Sequence, residues 1–170
     1  KGNIIGMQRN KQRITTEPGL QCELSGAPLE NIHQVCSESS KFLKEIETAS
    51  KSLDVNTVSI GFDPFNSLSD IPQSPKSRYK IMTKEMPKGG KQSLEMMYRT
   101  CGIQINYDYT SEENFEKIFR LGNYLTPLTI ALYSNSPFES GQPVGYYSYR
   151  NKVWQNTSRG GIMPIAFEKV

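Results

Sequence analysis

The chain has 170 residues with 20 basic and 17 acidic side chains, giving a formal net charge of +3. That length allows one domain with a core of its own, and no run of about five basic residues occurs, which argues against a nucleic-acid surface. No apolar run approaches about 18 residues, so no membrane span is predicted, and three cysteines without C-x-x-C spacing indicate neither zinc nor a complete disulfide framework. Reduced thiols are the default expectation, with a Cys22–Cys36 bridge left open.

The first 17 residues predict an antiparallel hairpin with its turn near Gln8–Gln12. The stretch Thr15–Glu30 then predicts a strand, a turn at Pro18-Gly19, a second strand and a turn into a helix. Strand side chains alternate between faces, so the second strand has an apolar and a polar side. The apolar side would carry Leu20, Cys22 and Leu24, and the polar side Gln21 and Glu23, with Glu17 just before the turn.

Two carboxylates and an amide therefore collect on one side of a short β element. A solvated polar face is the ordinary explanation of such a pattern. The sharper explanation is a site for a hard cation, because carboxylate and amide oxygens suit Mg²⁺.

Apolar residues at three- and four-residue spacing predict a helix from Ala27 to Leu53, with Pro28 in its first turn. The segment Val58–Phe62 predicts a short strand, and 63–75 a loop. A short basic helix is expected from about Lys76 to Glu85.

The segment Gly102–Tyr109 alternates, which predicts a second strand with tyrosines and isoleucines inward and Gln104 and Asn106 on its polar face. A helix with a capping box at Thr110–Glu113 should follow, kinked or divided by Pro127. Two further strands complete the expected elements, at Tyr146–Arg150 and Ile162–Phe167.

The block EPGLQCELSGAPLENIHQ resembles the EPGGQFELSGAPLETLHQ block of plant-type, also proteobacterial, glutamate–cysteine ligases. Further blocks extend the resemblance along nearly the whole chain, in the family's order: SPKSRYKIM, MPKGGKQSLEMMYRTCGIQIN, LTPLTIALYSNSPF, GYYSYRNKVW and GGIMPIAF. Leu20 stands where the family has a second glycine, Cys22 where it has phenylalanine, and Arg159-Gly160-Gly161 where it has Arg-Thr-Gly.

The resemblance implies an α+β fold in which helices pack behind an antiparallel sheet, as in the glutamine synthetase and guanido kinase-like catalytic folds. The resembling enzymes are more than twice as long as this chain. We therefore expect residues 1–170 to be a single domain forming the central part of a larger catalytic domain. The family's N-terminal Glu-x-Glu metal segment and its C-terminal part lie outside these residues.

The implied reaction joins the γ-carboxyl group of L-glutamate to the amine of L-cysteine, with ATP as co-substrate and Mg²⁺ as cofactor, in the first step of glutathione biosynthesis. Implied partners are these small molecules, with no nucleic acid and no membrane, and a homodimer is left open. The implied location is the cytoplasm, or the plastid if the source is a plant.

The resemblance also assigns roles by position. Glu17 and Glu23 match metal ligands, with Gln21 secondary, and Gln104 and Asn106 match contacts to metal, phosphate or nucleotide. The remaining assignments are basic or aromatic: Arg78 and Arg150 as catalytic and substrate-binding groups, Lys88 as a phosphate contact, and Trp154 beside the substrate pocket. Arg99 is a weak candidate, because its strand parity is wrong unless Gly102 marks a bulge.

Three alternatives stay open at this point. The chain could be an inactive fragment that lacks part of the site, or a ligase for another acceptor amine. A basic β-rich nucleic-acid module is disfavoured, because Tyr107 and Tyr109 share a face with isoleucines, a pattern typical of core.

Overall fold

A computed structural model describes Gly2, residues 4–158 and Gly160, and combines helices with small antiparallel sheets. The predicted α+β composition is therefore confirmed. The chain divides into two compact units. The first comprises the described residues of Lys1–Ser59 together with Pro72–Tyr79, and the second those of Ile60–Ile71 together with Lys80–Val170.

The first unit contains a three-stranded antiparallel sheet in the order β1-β2-β3. Its strands are β1 (Gly6–Arg9), β2 (Gln12–Thr16) and β3 (Cys22–Ser25). Met7 lies opposite Ile14, and Ile14 lies opposite Leu24, so one face carries a row of apolar side chains across the sheet. The two predicted hairpins are thus confirmed, and Glu17 and Gln21 close the second through a backbone hydrogen bond of 2.9 Å.

Helix α1 spans Ile32–Ser52 and begins five residues later than predicted. It begins there because the Asn31 side chain accepts a hydrogen bond from the backbone amide of Gln34, which satisfies an unpaired donor of the first turn. Pro28 consequently lies before the helix. Polar side chains connect α1 to the sheet. Nη1 of Arg9 forms an ion pair with Oε1 of Glu45 at 2.7 Å, and the side-chain amide of Gln12 donates a hydrogen bond to Glu38.

The second unit is mainly helical. Helix α2 (Ser77–Glu85) begins in the first unit and continues into the second after Tyr79. The other elements of the second unit are a 3₁₀ turn (Met86–Gly89), α3 (Ser93–Arg99), α4 (Glu112–Leu132), the hairpin of β4 (Phe138–Glu139) and β5 (Gln142–Pro143), and α5 (Tyr149–Gln155). Phe62, Met97, Tyr98 and Val153 are buried in it, and the Phe62 ring packs edge-on against Tyr149 with centroids 5.0 Å apart. This core therefore lies where α3 and α5 meet the chain at Phe62.

The predicted strand Gly102–Tyr109 is wrong for this structure. Residues 101–109 have no regular secondary structure and all are exposed, with Ile103 at 93% and Tyr107 at 71%. Pairing stops at an isolated antiparallel bridge between Phe62 and Thr100, and the part of the chain that the structure describes pairs no strand with the segment beyond. Alternation alone does not make a strand, because strand hydrogen bonds need a partner. The expectation that Tyr107 and Tyr109 are core residues is wrong for the same reason.

The predicted strand Tyr146–Arg150 is also wrong, because α5 begins at Tyr149. Ser148 caps this helix, its hydroxyl oxygen accepting from the backbone amide of Asn151 at 3.3 Å. A local cap and intrahelical hydrogen bonds therefore prevail over an apparent two-residue alternation.

Three smaller predictions need correction. Val58–Phe62 contributes only the single bridge to Thr100. Pro127 lies within α4, so the expected division of the helix does not occur, and the alternative, a kink, stays a prediction. The N-cap of α4 is Ser111, one residue later than expected: its hydroxyl oxygen accepts from the amide of Asn114, while the Asn114 side chain accepts from the amide of Thr110. The predicted strand Ile162–Phe167 lies outside the described residues, and no described helix has the length and apolar content to cross a membrane.

Candidate functional site

The start of α2 lies against the turn between β2 and β3 in the first unit. The backbone amide of Ser74 donates to the carbonyl oxygen of Pro18 at 2.8 Å, and Nζ of Lys76 donates to the carbonyl oxygen of Thr16 at 2.6 Å. A hydroxyl contact of 3.3 Å between Thr16 and Ser74 adds to these. Residues 74–79, the part of the block SPKSRYKIM that belongs to the first unit, therefore lie beside the acidic hairpin, which is formed by β2 and β3 with Glu17 and Glu23.

Tyr79 lies at the centre of this contact and is only 3% exposed. Its hydroxyl donates to both carboxylate oxygens of Glu17, at 3.2 Å each, and its oxygen accepts from Nη2 of Arg78 at 2.7 Å. The guanidinium carbon of Arg78 also lies 4.7 Å from the centre of the Tyr79 ring. Burial raises the pKa of the Tyr79 hydroxyl, which keeps it a neutral donor at physiological pH. Tyr79 therefore connects the predicted arginine to the predicted metal ligand.

Glu23 belongs to the same group of side chains, which we call the Glu17–Tyr79 cluster: Glu17, Glu23, Lys76, Arg78 and Tyr79. Burial, and then the negative charge of Glu17, raise the pKa of the Glu23 carboxyl group above its ordinary value. The positive charges of Lys76 and Arg78 oppose that rise in pKa only in part. Two carboxylates that repel each other would be stabilised by a shared cation.

The carboxylate oxygens of the cluster fit the ligand preference of Mg²⁺, but they supply only part of a coordination shell. Within residues 4–158 no group of three or more His, Cys, Asp or Glu side chains is arranged to hold a metal. Glu17 and Glu23 are thus a donor pair that suits Mg²⁺ together with water, phosphate oxygens or further protein ligands.

Gln21, the predicted secondary ligand, has a local role. Its Oε1 accepts from the backbone amide of Gly19 at 2.8 Å and so stabilises the turn beside Glu17. Leu20 in that turn has φ = +63°, a left-handed conformation that side chains rarely adopt. Leu20, which by the resemblance stands where the ligases have a glycine, is therefore the residue with a strained backbone in this turn. A carbonyl oxygen can accept twice, so the ligand role of Gln21 stays a prediction.

In the second unit, Arg150 and Trp154 lie one turn apart on α5. Nε of Arg150 donates to the carbonyl oxygen of Cys101 at 2.7 Å, and its guanidinium carbon lies 5.5 Å from the centre of the Trp154 ring. Burial lowers the pKa of Arg150, although an arginine stays positively charged. The indole Nε1 of Trp154 is buried without a hydrogen-bond partner among the described residues. The structure thus brings these two predicted substrate contacts together.

The other predicted contacts of this unit are not brought together. Lys88 is exposed and pairs with Glu85 three residues earlier. Gln104 and Asn106 are exposed in the irregular segment 101–109, so the expected polar sheet face is not formed by the described residues. Their roles remain predictions without geometric support.

Arg99, the weak candidate, lies on α3, so the argument from strand parity does not apply. Its side chain is 2% exposed and pairs with Glu95 at 2.9 Å and with Glu139 at 3.1 Å. Its Nη2 also donates to the carbonyl oxygen of Asp63 at 2.9 Å. These contacts make Arg99 a buried structural centre of the second unit.

Two residues of the Glu17–Tyr79 cluster were missed as site residues from sequence. The sequence indicates Lys76 only as the start of a short basic helix, and no motif in it assigns a role to Tyr79. Both lie in the block SPKSRYKIM, beside Arg78. The available signal is an aromatic residue directly after a predicted catalytic arginine. Its contact with Glu17 cannot be read from that signal, because the two residues are 62 positions apart in the sequence and meet only in the folded chain.

Comparison with known proteins identifies the family. The model of Glutamate-cysteine ligase family 2 matches residues 4–170. The chain is 44% identical over 170 residues to "Glutamate--cysteine ligase A, chloroplastic" of Oryza sativa subsp. japonica, covering 99% of this chain and 35% of that protein. It is 45% identical over 168 residues to "Glutamate--cysteine ligase, chloroplastic" of Nicotiana tabacum, covering 98% of this chain and 32% of that protein.

The Arabidopsis thaliana protein "Glutamate--cysteine ligase, chloroplastic" is 44% identical over 167 residues, covering 97% of this chain and 32% of that protein. The chain therefore spans about one third of the length of the curated relatives it matches. The family model covers nearly every residue, including the acidic hairpin, the SPKSRYKIM block and α5. The chain belongs to glutamate–cysteine ligase family 2.

Proposed function

We propose that this chain forms part of an ATP- and Mg²⁺-dependent ligase that joins the γ-carboxyl group of L-glutamate to the amine of L-cysteine. Membership of the family supports the reaction class. The observation that carries the proposal is the Glu17–Tyr79 cluster, in which one buried tyrosine joins Arg78 to the Glu17 carboxylate, whose charge acts on the neighbouring Glu23. Such a reaction needs both a cation site and fixed positive charge near anionic oxygens.

The proposal extends to architecture. The sheet of β1, β2 and β3 would be one part of a larger antiparallel sheet of glutamine synthetase-like type, to which segments corresponding to the other two thirds of the relatives contribute. Residues 1–170 would be the central portion of that catalytic domain. A plastid location is proposed from the chloroplastic names of the relatives.

In the proposed reaction the glutamate γ-carboxylate attacks the γ-phosphorus of ATP, forming γ-glutamyl phosphate while ADP leaves. The amine of cysteine then attacks the acyl carbon, the amide bond forms, and phosphate leaves with the C–O bond pair as the amine loses a proton. A carboxylate is a poor acyl donor, so phosphorylation supplies the leaving group. Holding the two substrates in contact supplies much of the acceleration.

This chain's residues would have distinct tasks. Glu17 and Glu23 would hold Mg²⁺, with Gln21 fixing the turn between them or adding a ligand. When bound, Mg²⁺ neutralises phosphate charge and aligns attacking and leaving oxygens. Arg78 and Arg150 would bind carboxylate or phosphoryl oxygens, for which the planar guanidinium fork is suited.

The remaining predicted residues take lesser parts in the proposal. Trp154 would pack beside the substrate held by Arg150. Lys88, Gln104 and Asn106 would contact phosphate or nucleotide once partner segments cover them. A homodimer stays a prediction.

The proposal is tested by phosphate release from ATP in the full-length protein, with Mg²⁺ and glutamate, in the presence and absence of cysteine. We expect release to depend on cysteine and to fall at least about 100-fold in Glu23→Gln, the upper range for a perturbed metal site. Glu30→Gln is the matched control, since Glu30 is an exposed glutamate of the same unit. Release that is absent, or indifferent to cysteine, in the folded protein would overturn the reaction.

Two alternatives are separated by the same assay. If the 170-residue chain alone is a fragment with part of the site, it will release no phosphate while the full-length protein does; this is the result we expect. If the acceptor is another amine, a panel of amines will show a lower KM for that amine than for cysteine, and the assignment of cysteine will fall.

A further inference from the structure

Arg150 is half-buried and differs from Arg99, the buried arginine of its unit, in having no carboxylate partner among the described residues. Arg99 is neutralised by Glu95 and Glu139. Arg150 forms no ion pair with the residues that the structure describes, and only its Nε is hydrogen-bonded there, to the carbonyl oxygen of Cys101 at 2.7 Å. Among the described residues, no carboxylate neutralises its charge and no acceptor is bonded to its two terminal nitrogens, which suit an anionic group.

Two glycines contact the Arg150 side chain from separate segments. A Cβ atom on Gly102 would lie 2.7 Å from Nη2 and 3.3 Å from Cζ of Arg150. A Cβ atom on Gly61 would lie 3.2 Å from Cδ of Arg150 and 2.7 Å from Oδ1 of Asn135. Neither glycine has a left-handed φ, so backbone conformation does not require glycine at either position. A side chain at either position would instead displace the side chains it meets, Arg150 at Gly102 and both Asn135 and Arg150 at Gly61.

The same two segments are fixed to each other around the bridge between Phe62 and Thr100. The amide of Asp63 donates to the carbonyl oxygen of Arg99 at 2.8 Å, and the amide of Cys101 donates to that of Gly61 at 3.1 Å. The carbonyl oxygen that accepts from Nε of Arg150 therefore belongs to Cys101, whose amide is bonded to Gly61 and which directly precedes Gly102.

We propose that Gly61 and Gly102 are positioning residues for Arg150: by lacking side chains, they let its guanidinium group lie against the backbone at Cys101 and keep its terminal nitrogens for a substrate anion. This inference rests on the proposed function for the role of Arg150. The anion is a carboxylate of glutamate or a phosphoryl group of ATP, which share the chemistry of paired anionic oxygens.

The position of Arg150 is tested by the ¹⁵N–¹H signal of its Nε, assigned through Arg150→Lys. A hydrogen bond of this kind should give a distinct, slowly exchanging signal. We expect that signal to be lost in Gly102→Ala and kept in Gly122→Ala, since a Cβ atom on Gly122 meets nothing within 4 Å. An unchanged signal in a folded Gly102→Ala protein overturns the inference. If the Gly102→Ala protein does not fold, Gly61→Ala replaces it in the same measurement, with the same expected loss of the Nε signal.

The substrate role is tested by a double-mutant cycle in the full-length protein. We expect Gly102→Ala to raise the KM for either glutamate or ATP at least about tenfold, the loss expected for one hydrogen bond to a charged group. In an Arg150→Ala background the same change should have less than about a twofold effect, because the glycine acts through the arginine.

The affected KM identifies the anion. Equal effects in the two backgrounds, or no effect on either KM, overturn the inference even if the Nε signal changes. Failure of the proposed function is distinguishable, because the unmodified protein would then show no cysteine-dependent phosphate release.

Discussion

The Tyr79 hydroxyl donates to both carboxylate oxygens of Glu17, at 3.2 Å from each. Arg78 donates to the same hydroxyl oxygen, so the Tyr79 phenol is bonded both to the Glu17 carboxylate and to the Arg78 guanidinium group. Glu17 and Arg78 form no direct ion pair with each other in the described structure. If Glu17 binds Mg²⁺ as proposed, the hydrogen bond from Tyr79 orients its carboxylate for the cation before the cation arrives.

Tyr79→Phe tests this arrangement. We expect a loss of about 1 kcal/mol in the free energy of unfolding and a rise of about tenfold in the Mg²⁺ concentration that gives half-maximal activity. Chemical unfolding and Mg²⁺ titration of phosphate release measure the two quantities. Tyr98→Phe is the matched control: it also removes a buried tyrosine hydroxyl, in the second unit, and should lower stability without changing the Mg²⁺ requirement. Equal Mg²⁺ responses in the two variants would contradict the role of Tyr79.

Glu23 makes stability depend on pH. Burial and the charge of Glu17 raise the pKa of Glu23 in the folded state, so the folded protein binds this proton more tightly than the unfolded chain does. Without Mg²⁺, ionisation of Glu23 therefore lowers the free energy of unfolding. This loss of stability is absent below the ordinary glutamate pKa of about 4.3 and grows as the pH rises through the raised pKa. Glu23→Gln should therefore raise the thermal midpoint at neutral pH, and the gain should disappear below about pH 4.

Thermal unfolding across this pH range, with Glu30→Gln as control, measures the effect. Saturating Mg²⁺ should stabilise the unmodified protein by mass action and leave Glu23→Gln unchanged. A pH-independent difference between Glu23→Gln and the unmodified protein would rule out linkage to this carboxyl group.

Leu20 tests the cost of the strained turn. Its φ of +63° costs a non-glycine residue about 1–2 kcal/mol, whereas glycine loses roughly 0.5–1 kcal/mol more conformational entropy than other residues. Leu20→Gly should therefore stabilise the protein by up to about 1 kcal/mol in chemical unfolding. Leu24→Gly, in strand β3 without a left-handed φ, should destabilise it. Destabilisation of the same size by both changes would show that the Leu20 side chain outweighs its strain.

The sequence predicted best those elements that depend on near neighbours. The hairpins of the first unit follow from alternation interrupted by turn residues, and α2 follows from its flanking Pro and Gly residues. The segment Gly102–Tyr109 failed because its alternation describes a strand only when another strand lies beside it. The predicted strand Tyr146–Arg150 is wrong because the side-chain cap at Ser148 begins a helix there, and a short alternation does not outweigh it.

The candidate site divides in the same way. Glu17, Glu23 and Arg78 were found by residue type and by family resemblance, and the structure brings them together. The connection through Tyr79 could not be read, because it joins positions 62 residues apart through a fold that no local pattern describes. The glycines beside Arg150 were missed for a related reason: what matters there is the absence of a side chain at a contact between distant segments.

Ser148 offers a final test of how α5 supports the candidate site. Its hydroxyl caps the helix that carries Arg150 and Trp154, just as Ser111 caps α4 through the amide of Asn114 at 3.1 Å. Replacing either serine by alanine should cost about 1 kcal/mol of stability. Only Ser148→Ala should also raise a substrate KM, because it loosens the first turn from which Arg150 extends.

Chemical unfolding and steady-state kinetics of Ser148→Ala and Ser111→Ala, in the full-length protein, separate these effects. If both variants lose similar stability and both keep their KM values, α5 does not position the substrate contact. If both raise the KM equally, the change reflects general loosening of the fold. A rise confined to Ser148→Ala assigns the effect to the start of α5, because the two caps have the same chemistry and differ only in the helix they support.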